Sequence, residues 1–169
     1  MKGLTVDIKA SPMLKQFVEY STDDGVLRPK RGATITGLVL QYLELLPVDG
    51  DDIQPEECIK IEIPLTCRKT YSQVYGKVNW CYTLFQNKIG EKGQSIIVHY
   101  LETVMRDCFH TFMDGYTCVK EDAVKEGVTS WLLEYQIMDF TEKDIDTLAH
   151  DWHRYKRKKY ASRISPLTF

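Results

Sequence analysis

The most chemically distinctive side chains of this sequence form a basic run near its C-terminus. Residues 154–163 contain six Lys and Arg residues and no acid, so a chain with a net charge of −2 carries −8 outside this run. Two tyrosines interleave with the cations, and such rings can stack on nucleobases while the cations contact phosphates. The same pattern is typical of a solvated helix end. The sequence therefore predicts either a nucleic-acid contact or a solvated helix end. The run is called the auxiliary basic patch, and its residues are Arg154, Lys156, Arg157, Lys158, Lys159 and Arg163.

Two histidines immediately before this run could bind a metal. His150 and His153 lie three residues apart and would share one side of a helix. Two ligands do not complete a zinc site, and Cys108, His110 and Cys118 fit no familiar zinc spacing. We therefore predict no metal and interpret the histidines as polar neighbours of a buried tryptophan.

The motifs of common catalytic and nucleotide-binding sites do not occur in the sequence. Gly90-Glu91-Lys92-Gly93 is not followed by the Lys-Ser or Lys-Thr pair of a phosphate-binding loop. There is no GxSxG nucleophile elbow, and there is no HExxH pair. The sequence therefore predicts a protein that is not an enzyme and needs no cofactor.

The composition is that of an ordinary globular protein. The 169 residues are 43% hydrophobic and 27% charged, and no apolar run approaches the roughly 20 residues of a membrane span. The first seven residues reach Asp7 without an apolar signal core, and the five cysteines form no close pair. Reduced, mostly buried thiols and a cytoplasmic location are expected.

A faint internal repeat indicates the fold. The segment 38–44 recurs at 96–102, an offset of 58 residues, and each copy follows an alternating apolar run, at 4–9 and at 59–63. Such runs are typical of strands with one buried face. We predict a mainly α fold with a small two-stranded antiparallel β ribbon. It would comprise two β-α-α units at 1–47 and 58–115, a linker at 48–57 and a C-terminal helical hairpin with a basic tail at 116–169.

Capping signals place the helices of this arrangement. Ser11-Pro12 predicts the start of the first helix, and Thr34 is a candidate cap for a second helix that ends before Pro47. Residues 87–93 read as a turn, and an apolar helix at 95–113 would be central and largely buried. A capping motif at 141–144, with Asp in place of Glu, predicts the start of the last helix.

The strands, the capped first helix and the second-helix segments at 34–46 and 95–113 resemble the ribbon-helix-helix family of DNA-binding proteins, here with both halves in one chain. In that family the ribbon enters the DNA major groove, and each second helix presents its N-terminus to a phosphate. The resemblance implies base contacts by the outward strand residues Thr5, Asp7, Lys9, Lys60 and Glu62. It implies phosphate contacts near the two helix starts, by Arg28, Lys30, Arg31, Thr34, Lys88, Lys92 and Ser95.

These patterns favour a non-enzymatic DNA-binding protein, either a transcriptional regulator or an accessory protein at a DNA site. Double-stranded DNA is the expected partner, and the C-terminal helices could join copies of the chain or bind another protein. The alternative is a helical interaction or structural protein that binds no nucleic acid, as the acidic body suggests. A positive stripe joining Lys9, Lys60 and the loop 28–31 would favour the first reading, and an acidic ribbon the second.

Overall fold

A computed structural model describes residues 4–30, 32–45, 58–63, 87–120 and 122–164 of the chain. These described residues contain ten helices and strands. The chain divides into two compact units, Met1–Thr103 and Val104–Phe169. The described residues are mainly helical, as the sequence predicts. In chain order the elements are β1 (Leu4–Lys9), α1 (Pro12–Tyr20), β2 (Val26–Leu27), α2 (Thr34–Gln41), β3 (Leu43–Leu45), β4 (Cys58–Ile63), β5 (Asn87–Ile89), α3 (Glu91–Val119), α4 (Val124–Glu134) and α5 (Glu142–Ile164).

The two predicted strands lie side by side in the first unit. β1 and β4 are antiparallel, with Val6 opposite Ile61 and Asp7 opposite Lys60. The sheet is not the two-stranded ribbon expected from the sequence, because β2 pairs parallel to the other edge of β4 and gives the order β1-β4-β2. β2 follows directly after Gly25, whose φ of 72° lies in the left-handed region that favours glycine. A mixed three-stranded sheet is the result.

Alternation along the strands determines which side of the sheet is buried. Val6, Ile8 and Ile61 are at most 1% exposed, whereas the intervening Thr5 and Asp7 face solvent. α1 begins as predicted: Pro12 is its first residue, and the Leu14 N–H donates to Ser11 Oγ at 3.4 Å. Helices α1 and α2 add five further buried side chains to the core of this unit, Leu14, Phe17, Val18, Ile35 and Val39.

The segment after α2 departs from the predicted helix. α2 ends at Gln41, and Leu43–Leu45 form β3, which pairs antiparallel with β5 so that Leu43 lies opposite Ile89. A β-carbon added at Gly93, in the first turns of α3, would collide with the side chain of Tyr42. This close approach and the β3–β5 pairing replace the predicted extension of α2 and the predicted turn at 87–93.

The internal repeat does not correspond to a structural repeat. Residues 38–41 are helical and 43–44 belong to a strand, whereas 96–102 lie entirely within α3. The linker at 48–57 and the helix expected within 64–86 lie outside the described residues. The organisation into two β-α-α units therefore stays a prediction.

α3 contributes to both units and buries a single stripe rather than most of its surface. Its buried apolar residues recur every four positions, while Val104 is 42% exposed. The predicted largely buried helix is therefore corrected to an amphipathic one. Among the described helices, none combines the length and apolar character needed to cross a bilayer. The buried stripe consists of Ile97, Leu101, Met105, Phe109 and Met113.

The second unit packs the C-terminal part of α3 with α4 and α5. Trp131 of α4 is fully buried and meets Phe109 edge-on, with ring centroids 5.1 Å apart. The capping motif at the start of α5 is confirmed, because the Thr141 N–H donates to Asp144 Oδ2 at 2.8 Å and the Asp144 N–H to Thr141 Oγ1 at 3.4 Å. Trp152 of α5 is 1% exposed.

Candidate nucleic-acid interface

The strand pairing brings the predicted ribbon residues onto one face. Thr5 lies opposite Glu62 and Asp7 opposite Lys60 in the antiparallel register, and Lys9 follows on the same side of β1. Glu62 is half-buried, and the other four residues are exposed. The sequence thus identified side chains that do share a surface, which is called the ribbon face below.

Arg28, a predicted phosphate contact, is engaged by two carboxylates. Its Nε donates to Glu62 Oε2 at 2.8 Å, and its two terminal nitrogens donate to the two oxygens of Asp24 at 2.7 and 2.8 Å. The bonds to Asp24 and Glu62 raise the pKa of Arg28, and the bond from Arg28 lowers the pKa of Asp24. This fork leaves little of the guanidinium for a phosphate.

The charges on and beside the ribbon face cancel. Three acids (Asp7, Asp24, Glu62) accompany three cations (Lys9, Arg28, Lys60). Among the described residues, the face therefore carries neither a positive stripe, which would favour DNA binding, nor an acidic surface, which would favour a protein that binds no nucleic acid.

The first predicted phosphate site, at the start of α2, is only partly as expected. Lys30 is exposed, and Arg31 lies outside the described residues. Thr34 is not the cap: it is the first helical residue, and the N-cap position belongs to Ala33, which makes no side-chain capping bond. A side-chain oxygen makes Thr a better cap candidate than Ala, but here the helix begins one residue earlier than a cap at Thr34 predicts.

The second predicted phosphate site is displaced along the chain. α3 begins at Glu91, so the exposed Ser95 lies within the helix rather than at its N-terminus. Lys92 is exposed in the first turn, and Lys88 belongs to β5, with its side chain outside the described part of the structure. The site expected ahead of Ser95 is therefore not formed as predicted.

The basic run belongs to one continuous helix. α5 extends to Ile164, so all six cations of the run are helical. Arg154, Arg157 and Lys158 are exposed and share one side of the helix, and these three residues are called the α5 basic face below. Lys156 is half-buried. The side chain of Arg163 lies outside the described residues.

Two carboxylates hold the inner side of α5 against α3. The Lys159 ammonium lies 2.5 Å from Asp114 Oδ2, which also accepts from the Tyr155 hydroxyl at 3.3 Å. His110 Nε2 and Asp151 Oδ2 are 2.8 Å apart. Lys159, predicted as part of the basic patch, thus has a structural contact within the fold.

The two tyrosines of the run face different surroundings. The Tyr155 ring stacks on His110 with centroids 4.1 Å apart and planes inclined by 11°, so it is used inside the unit. Tyr160 is 50% exposed. Of the two predicted base-stacking rings, only Tyr160 is presented to solvent.

An open surface groove of about 810 Å³ runs along the outer side of α5. Both histidines of the His-Asp-Trp-His run are exposed there, on the side of the helix away from the buried Trp152. The sequence interpretation of the histidines as polar neighbours of Trp152 did not predict this shared surface. The signal was present, because His153 and His150 lie four and seven residues before Arg157, and such spacings place side chains on one face of a helix. The described residues lining the groove are His150, His153, Lys156, Arg157, Tyr160 and Ala161.

The described residues form no cluster of three or more potential metal ligands. Cys108 Sγ lies 2.8 Å from the Tyr135 hydroxyl, and His110 pairs with Asp151 instead of with a cysteine. Cys58 is buried as expected, whereas Cys118 is exposed. The candidate site is therefore the α5 basic face together with the groove beside it.

Comparisons with known proteins leave this site without a counterpart. No family model matches the chain, and neither the curated proteins nor the solved structures gave a similar protein.

Proposed function

We propose that this protein is a non-enzymatic, cytoplasmic DNA-binding protein that contacts duplex DNA through the α5 basic face. Its role would be transcriptional regulation or assistance at a DNA site. The supporting observation is that residues 152–164 form a continuous helical segment with six cations and no acid, while the inner side of that helix is anchored to α3. Of these cations Arg154, Arg157 and Lys158 are exposed, and exposed cations carried on one helix are suited to phosphate contact.

The number of exposed cations sets the expected strength of this interaction. Contacts by Arg154, Arg157 and Lys158 would give a slope of about −2.7 in a plot of log K against log salt. Affinity would then fall about 40-fold between about 50 and 200 mM salt. Arg154 also pairs with Asp151 at 3.0 Å, which reduces what it offers a phosphate, so about −2.7 is the upper limit of the slope.

The ribbon face has a smaller part in this proposal. Its acids and cations are equal in number, so it offers no net attraction to a polyanion. Lys60 lies opposite Asp7, and Arg28 is held by Asp24 and Glu62. The ribbon face is therefore not the surface that holds the duplex in this proposal.

Fluorescence anisotropy with a short labelled duplex tests the proposal. Arg157→Ala combined with Lys158→Ala should reduce the salt slope by about 1.8. The matched control, Lys9→Ala with Lys60→Ala, removes the same charge from the ribbon face and should change the slope by less than half as much. A larger loss in the control would move the contact to the ribbon. Failure of the folded wild type to bind duplex at about 50 mM salt would overturn DNA binding itself.

A helical interaction protein is the second candidate, and a specific observation favours it. Leu133 and Met138, beside the connection between α4 and α5, are 52% and 68% exposed. Light scattering would distinguish the two functions. A stable oligomer that ignores DNA and dissociates when Leu133 and Met138 are changed to Ser would support this candidate over the first.

A further inference from the structure

We propose that His150 and His153 are phosphate-contacting residues in the groove beside the α5 basic face, and that their protonation strengthens DNA binding as the pH falls. This inference rests on the proposed function, because it concerns the same ligand and an adjoining surface. It adds two histidines to the DNA-contacting residues, and the net charge counted at neutral pH does not include them.

The groove places these imidazoles among groups suited to a phosphate. His153 and Arg157 are four residues apart, and His150 and Arg157 are seven apart, so all three line the same side of α5. Both histidines are exposed, and Lys156 also lines the groove.

The groups around His150 are of both signs. Asp146 lies one turn earlier, and its Oδ1 is 2.6 Å from the Lys125 ammonium. The Lys125 ammonium lowers the pKa of the Asp146 carboxyl, and the charge of His150 acts in the same direction. Arg154 lies one turn later and pairs with Asp151. Asp146 therefore partly offsets the repulsion that a protonated His150 would meet from Arg154.

The surroundings of His153 are mainly cationic. Arg157 Nε donates to the His153 carbonyl oxygen at 3.4 Å, which holds the guanidinium close to this turn of the helix. Lys156 and Arg157 both line the groove with it. A phosphate bound among these groups would offset their mutual repulsion and favour the charged imidazole.

Proton uptake then follows from phosphate binding. Histidine is the side chain whose charge ordinarily changes between about pH 5 and 8. If the DNA complex favours the charged imidazoles, binding takes up protons and affinity must rise as the pH falls. Two additional contacts would add up to about 1.8 to the salt slope. We expect the Kd to decrease on the order of tenfold between about pH 8 and pH 6 at about 0.1 M salt.

The test measures the Kd for a short labelled duplex across this pH range at constant ionic strength. The variant His150→Gln/His153→Gln should lose most of the pH dependence, so that its Kd changes less than about twofold between about pH 8 and pH 6. His99→Gln, which changes an exposed histidine on α3 outside the groove, is the control and should retain the full pH dependence. Circular dichroism at each pH verifies that the variants are folded.

Three outcomes would overturn the inference. A wild type that binds DNA equally at both pH values would refute it and leave the proposed function standing. Full pH dependence in the double variant would assign the effect to another group. Absence of binding at every pH would remove the proposed function together with this inference. In support, the imidazole resonances of His150 and His153 should shift on addition of DNA, while that of His99 should not.

Discussion

Lys159 and Asp114 join α5 to α3 through an ammonium–carboxylate contact of 2.5 Å, whereas the preceding residue, Lys158, is exposed. The hydrogen bond that Lys159 donates to Asp114 raises the pKa of Lys159. Successive residues of a helix point about 100° apart, so one lysine reaches the neighbouring helix while the other is directed to solvent. Two lysines that look equivalent in the sequence therefore have different roles.

Lys158→Ala and Lys159→Ala should separate these roles. The Lys158 variant is expected to lower DNA affinity by on the order of fivefold at about 0.1 M salt, because one phosphate contact is lost, with little change in thermal stability. The Lys159 variant should lower the melting temperature and have the smaller effect on affinity. Anisotropy and thermal unfolding of both proteins provide the measurement. Equal losses of affinity would show that Lys159 also contacts DNA.

The N-cap of α5 should contribute measurably to stability. Thr141 Oγ1 accepts from the Asp144 N–H, and its own hydroxyl donates to Asp144 Oδ2 at 2.7 Å. Thr141→Ala should lower the free energy of unfolding by about 1 kcal/mol, as measured by urea denaturation. Thr147→Ala is the control: its hydroxyl donates to the Lys143 carbonyl within the same helix, and its loss should cost less. A greater loss at Thr147 would contradict the capping role.

Asp144 should give this cap a dependence on acid pH. The Thr141 hydroxyl, followed by the Thr141 N–H, lowers the pKa of the Asp144 carboxyl below its ordinary value of 3.8. Its contribution to stability is therefore fully present above that ordinary value and is lost as the pH falls through the lowered one. Urea unfolding should show Asp144→Asn to be less stable than wild type near neutral pH, with the difference shrinking below about pH 4. A difference that grows in acid would have the wrong sign.

Two helical glycines should respond oppositely to alanine. A β-carbon at Gly127 would lie 2.8 Å from the Tyr116 ring and 3.1 Å from Met113, whereas one at Gly115 would meet nothing within 4 Å. Gly127→Ala should therefore destabilise the second unit by about 1–3 kcal/mol through overpacking. Gly115→Ala should stabilise it by about 0.5–1 kcal/mol through reduced backbone entropy of the unfolded chain. Urea denaturation of both variants tests this contrast, and stabilisation by both would show that α4 can shift without cost.

Much of the fold could be predicted where the signal is local. Alternation predicted β1 and β4, and Ser11-Pro12 and Thr141–Asp144 predicted two helix starts, because each depends on side chains within a few residues. Leu43–Leu45 were assigned to a helix because their apolar spacing continues that of α2. In the structure they pair with Asn87–Ile89, a segment far away in the sequence, and local apolar spacing does not reveal such a partner. The two-residue β2 is too short to show any alternation.

The sequence predicted which charged residues belong to the candidate site, but it did not predict which residues they bind. The sequence identified Arg28 and Lys159 as cations. Asp24 holds Arg28 from four residues away, but two further acids that hold these cations, Glu62 and Asp114, lie 34 and 45 residues away. Such pairs arise from tertiary packing, which residue types alone do not specify. His150 and His153 were visible as a spaced pair, and their position opposite the buried Trp152 became clear only with the orientation of α5.

The central position of β4 has a consequence for the order of folding. β1 and β2 both take their hydrogen-bonding partner in this sheet from Cys58–Ile63, which follows them in the chain. During synthesis from the N-terminus, neither strand can complete its pairing until β4 has left the ribosome. The sheet must then close a loop of more than 50 residues between Val6 and Ile61. Such distant contacts form slowly, so we expect the helical second unit, built from nearer contacts, to fold faster than the sheet.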